Sequence, residues 1–135
     1  MNGRTIVAAA AAVVLGAGPS FAHHAWPIDR SKEVTVKGTV TAFNWSNPHV
    51  MIDLEVKTDT GKTDTGKTDT AKIEKWNIGG PSTERMTGNG WDRNTLKPGD
   101  VITGIGYRHS DGSNVVQLQK IVLASGKEML LYGRR

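Results

Sequence analysis

The chain has 135 residues, with 17 Lys and Arg against 13 Asp and Glu, and no cysteine. That length supports one domain with one modest core; without cysteine there is neither a disulfide framework nor a lipoprotein lipidation site, so packing alone must hold the fold. The small positive excess is spread along the chain rather than gathered in the dense basic patch of a nucleic-acid binder, and nucleic acid is not an expected partner.

Arg4, the uncharged apolar run at 6–15, the helix breakers Gly16, Gly18 and Pro19, and the small residues Ser20 and Ala22 read as a secretory signal peptide over residues 1–22. The run is about half the ~20 residues that a membrane-spanning helix needs. No basic stop-transfer cluster follows it, so no stable membrane insertion is expected after cleavage. Removal after Ala22 would leave residues 23–135 as a single periplasmic domain beginning with His23 and His24.

From Glu33 the hydrophobic period is two, which predicts strands. Val34, Val36, Val40 and Ala42 alternate with polar residues, and Gly38 marks a bulge or bend in this first strand. After a turn-rich break at 44–48, Val50, Ile52, Leu54 and Val56 alternate with Met51, Asp53, Glu55 and Lys57. A third strand covers 73–78, where Trp76 and Ile78 share a phase that Ile73 does not. Between the second and third strands, residues 58–72 repeat Thr-Asp-Thr-Gly-Lys twice and then give Thr-Asp-Thr-Ala-Lys. Each unit is neutral and lacks the convergent oxygens that calcium requires. The segment is an extended hairpin loop, since lengthening a surface loop costs only about 0.6 kcal/mol per doubling.

Pro81 and Glu84 suit the first turn of a short helix that Gly88 and Gly90 stop. Pro98-Gly99 sits at the centre of a type II turn. The fourth strand, 101–108, alternates Gly104 and Gly106 with Ile105 and Tyr107, and Ile105 is expected in the core with Val36, Ile52 and Leu54. A tight loop from His109 leads to a fifth strand at 114–123, then through Ser125-Gly126 to a short last segment at 128–132. Three strands, a helix, then further strands is the order of the OB-fold. The expected class is all-β: a small OB-like Greek-key barrel of five to six strands with one short helix between strands three and four. Another small barrel or sandwich is the rival arrangement.

His23-His24-Ala25, Trp45-Ser46-Asn47-Pro48-His49, Gly79-Gly80, Gly90-Trp91 and Leu96-Lys97-Pro98-Gly99-Asp100 together resemble a family of short exported proteobacterial proteins of unknown function. The likeness covers essentially the whole of 23–135. It implies a periplasmic address and a mature start near the His pair, and carries no activity. The triple pentapeptide departs from that family's usual short hairpin.

Chemistry can rest on four histidines. A free α-amino group and the ring of an N-terminal His23, with His24 beside it, form a metal site suited to copper, with zinc second; the same pair can equally be an exposed tail. In an OB-like fold, His49 before the second strand and His109 after the fourth flank the usual binding face. Trp45 and Trp76 would then line a ligand groove, or else pack as core. No nucleophile elbow, phosphate loop or zinc-protease helix is present. The expectation is a non-enzymatic periplasmic protein binding a small ligand or a protein partner through Trp45, His49, Trp76 and His109, with copper binding at His23 and His24 as the alternative.

Overall fold

The computed structural model describes residues 26–58 and 71–132. The signal segment 1–22, His23 and His24, and most of the pentapeptide repeat lie outside the described residues. Within them the elements run β1 (Ile28–Asn44), β2 (Met51–Thr58), β3 (Lys72–Gly79), α1 (Thr83–Thr87), β4 (Val101–His109), β5 (Val115–Leu123) and β6 (Glu128–Leu130). Antiparallel neighbours follow the order β3-β2-β1-β4-β5-β6, and β3 pairs a second time, in parallel, with β5. That second pairing closes β1, β2, β3, β5 and β4 into a ring, with β6 added beside β5. The chain is thus an all-β, OB-like arrangement with one short helix between β3 and β4.

β1 is longer than its apolar period, starting at Ile28 rather than Glu33. Its first part pairs with β4, from Ile28 opposite His109 to Thr39 opposite Val101, and its second part pairs with β2, from Thr39 opposite Glu55 onward. One strand therefore serves two neighbours and must bend. Register shifts fall between Val40 and Ala42 against β2 and between Ile28 and Glu33 against β4, not at Gly38.

The β2 alternation sends Ile52 and Leu54 into the core, both 1% exposed, and leaves Glu55 outside. In β3 the phase difference is real: Ile78 is fully buried while Ile73 is 56% exposed. β4 corrects one expectation. Ile105 is only half-buried, and Gly104 and Gly106 face inward. The reason is the closeness of β5. A Cβ on Gly104 would stand 2.9 Å from the Leu118 side chain, and one on Gly106 would collide with the Gln117 carbonyl. Leu118 fills the volume that a larger β4 side chain would otherwise occupy.

One end of the ring is closed by Met86, Trp91, Leu96 and Leu131, each 2% exposed or less. Ser82, not Pro81, caps α1, accepting from the Arg85 N–H at 3.4 Å, so Pro81 lies just before the cap. The Pro98-Gly99 turn forms as expected: Gly99 has φ +97°, the Asp100 N–H reaches the Lys97 carbonyl at 3.1 Å, and the Gly99 N–H binds the Val40 carbonyl at 2.8 Å.

Candidate functional site

The Asn-Pro-His segment between β1 and β2 is a clamp. The Asn47 side-chain oxygen accepts from the Thr83 N–H at 2.9 Å and the Thr83 hydroxyl at 3.0 Å. Backbone bonds tie Val50 to Pro81 at 3.0 Å and Gly80 to Val50 at 2.8 Å. His49 adds a third tie, its Nδ1 to the Gly80 carbonyl at 3.2 Å. A carbonyl only accepts, so Nδ1 carries a proton, and in the neutral form of the ring the lone pair is on Nε2. Turn residues thus fix an exposed imidazole in one orientation.

The segment before β1 crosses the same end of the ring. Ser110 binds the Pro27 carbonyl through both its N–H, at 2.8 Å, and its hydroxyl, at 3.1 Å. Trp26 lies against Gly79, where a Cβ would clash with the six-membered ring of the indole. Trp26 meets His49 edge-on at 5.5 Å and 75°, and His109 at 5.3 Å and 88°. His109 is the last residue of β4 rather than part of the loop, and its Nε2 is buried without a hydrogen-bond partner. The structure therefore brings His49 and His109 together through a residue that sequence reasoning missed. The available signal was a tryptophan just after the His pair that belongs to no apolar alternation.

Beside Trp26 lies a groove of about 500 Å³, walled by Trp26, Pro48, His49, Pro81 and Tyr132 and edged by the guanidinium groups of Arg30 and Arg85. Ser82 and Gln117 complete it, and among the described residues no Asp or Glu lines it. Gln117 donates to the Tyr132 hydroxyl at 2.8 Å. Burial pushes the Tyr132 phenol above its ordinary 10.0; the Gln117 bond and the nearby charges of Arg85 and Arg30 oppose that rise. Arg85 also stands 6.0 Å over the Tyr132 ring, and Arg30 5.9 Å over Tyr107.

Trp45 and Trp76 lie elsewhere. Trp45 packs on Phe43 at 5.7 Å, and Phe43 on the buried Trp91 at 6.2 Å. Trp76 sits opposite Leu54 in the β2–β3 ladder, with the Arg108 guanidinium 5.0 Å over its ring. Arg108 is held there by the Ser113 carbonyl and the Asn114 side chain, both at 2.7 Å. Trp76 borders a different groove, of about 470 Å³, where Asp53 and Glu55 face Lys75. Asp53 is engaged structurally, accepting from the Asn77 amide at 2.6 Å. Among the described residues no three His, Asp or Glu side chains converge as a metal site.

The profile of a family of unknown function, DUF6152, matches residues 10–117. No curated protein matches the chain.

Proposed function

The chain belongs to that family, and we propose that it is an exported, periplasmic, non-enzymatic binding protein that holds a small ligand in the groove beside Trp26. One observation carries this reading. The two loop-end histidines that flank the usual OB binding face, His49 and His109, meet on Trp26 at the edge of a groove of about 500 Å³. That volume is within the range of small-molecule sites, roughly 300–1,000 Å³. The leader-like residues 1–22 support export, and intact mass of the secreted protein tests that part directly. For the groove, a thermal-shift panel of small organic molecules should give hits that disappear in Trp26→Ala and persist in Trp76→Phe. Hits that depend on Trp76 and ignore Trp26 would move the site to the other groove.

Copper binding at His23 and His24 is the second reading, favoured by one specific feature. Trp26 is anchored beside His49 and His109. His23 is three residues before it, a reach of at most ~10 Å. His49 offers Nε2 because its Nδ1 is engaged with Gly80. Protein beginning at His23 should bind copper(II) more tightly than protein with one extra N-terminal residue, and acid should release the metal. Equal affinities in a titration of both forms would remove this reading.

A further inference from the structure

We infer that the groove beside Trp26 is an oxyanion site for a small flat-ringed organic acid, its carboxylate or phosphate held between Arg30 and Arg85. The inference rests on the groove reading above and names its ligand class. Three observations carry it.

The first is unbalanced charge. Arg30 and Arg85 border the groove, and among the described residues no Asp or Glu does. The ion pairs among the described residues are Lys72 with Glu74 and Lys120 with Glu128, so neither Arg30 nor Arg85 is neutralised by a described partner. The second groove, of similar size, carries Asp53 and Glu55 against Lys75 and has no such excess. Guanidinium is the side chain whose planar fork matches a carboxylate or phosphate.

The second observation is the donor geometry at the back of the groove. The Tyr132 oxygen already accepts from Gln117, so its own O–H remains to donate. A phenol is protonated at neutral pH at its ordinary 10.0, and burial raises the Tyr132 value further. A neutral donor beside two fixed positive charges recognises an anion and repels a cation. The third observation is the walls. Trp26, Pro48 and Pro81 are flat and apolar, and they suit the face of a ring while the guanidiniums take its acidic group.

Isothermal titration with phthalate, phenyl phosphate and the neutral 1,2-benzenedimethanol tests this. Both anions should bind, with affinity falling as salt is raised; their ratio tells carboxylate from phosphate preference. The neutral diol should bind at least about tenfold more weakly. Arg30→Gln and Arg85→Gln should each cost about tenfold in anion affinity, as expected for a lost charged hydrogen bond. Both residues are exposed, so the melting temperature should stay put. Lys75→Gln, on the other groove, should change nothing. Diol binding equal to anion binding would overturn the anion assignment while leaving the groove in place as a site. Anion binding that survives both Arg substitutions, or that is lost with Lys75→Gln, would overturn the assignment and the groove together. No binding by either anion would overturn the assignment alone, since the thermal-shift panel judges the groove independently.

Discussion

Two aromatic clusters in this small protein are built from similar residues and do different work. Phe43 packs on Trp45 and on Trp91. Trp91 is 1% exposed, and its Nε1 donates to the Leu130 carbonyl at 2.8 Å, so nothing polar is left over. Trp26, His49 and His109 sit around the Gly79-Gly80 crossing. There, among the described residues, the buried His109 Nε2 has no hydrogen-bond partner, His49 is tied through its Nδ1, and Arg30 and Arg85 beside the groove have no ion-pair partner. The difference lies in satisfaction rather than composition. A buried polar group left without a partner calls for an explanation, and a bound ligand is one such explanation.

The contrast is sharpest in the response to truncation. Trp91→Ala should cost about 3–5 kcal/mol, since it empties a closed site and orphans the Leu130 carbonyl. Chemical denaturation measures this, and a loss under 1 kcal/mol would erase the scaffold half of the comparison. Leu54→Ala should cost about 2–5 kcal/mol for the same cavity reason.

The Trp26 cluster should instead show coupling. A Cβ at Gly79 meets only the Trp26 ring as its nearest neighbours, so Gly79→Ala should unseat the indole and destabilise the wild type. In a Trp26→Ala background the same change should be nearly neutral. The interaction energy should fall in the range of about 0.5–3 kcal/mol for residues in contact. Additive effects would mean that Trp26 does not rest on Gly79.

The alkaline limb of stability reports on the groove wall. The Tyr132 phenol binds its proton more tightly in the folded state than its ordinary 10.0. Its contribution is therefore fully present below that pH and lost as pH rises through the higher folded value. Tyr132→Phe should flatten this alkaline decline. The smallest effect belongs to the repeat: deleting two of its three units should leave stability within about 1 kcal/mol. A larger loss would show that the repeat packs against the ring.

Much of the ring is legible in the residues. Ile52 and Leu54 announce an inward face because each alternates with a polar neighbour. β4 hides its register, since Gly104 and Gly106 carry no hydrophobic signal and Ile105 therefore looks like the inward residue. The start of β1 hides as well: Asp29, Arg30, Ser31 and Lys32 have no apolar period, and they fall in the register shift between the Ile28–His109 and Glu33–Tyr107 pairs with β4. Around the proposed groove, His49 and His109 are visible as histidines near the loops of an OB-like order. Trp26, Arg30 and Arg85 are not, because their convergence depends on a chain segment crossing Gly79. Residue type points equally to Trp45 and Trp76, and only tertiary placement separates the tryptophan in the Phe43 cluster and the one under Arg108 from the one at the Trp26 groove.

The indole N–H resonances test that separation most directly. In a nitrogen-15 labelled sample titrated with phthalate, the signal assigned to Trp26 through its absence in Trp26→Phe should move with ligand, while that of Trp91 stays fixed. Movement of the Trp91 signal with Trp26 unchanged would contradict the proposed division into a buried scaffold cluster and a ligand-binding one.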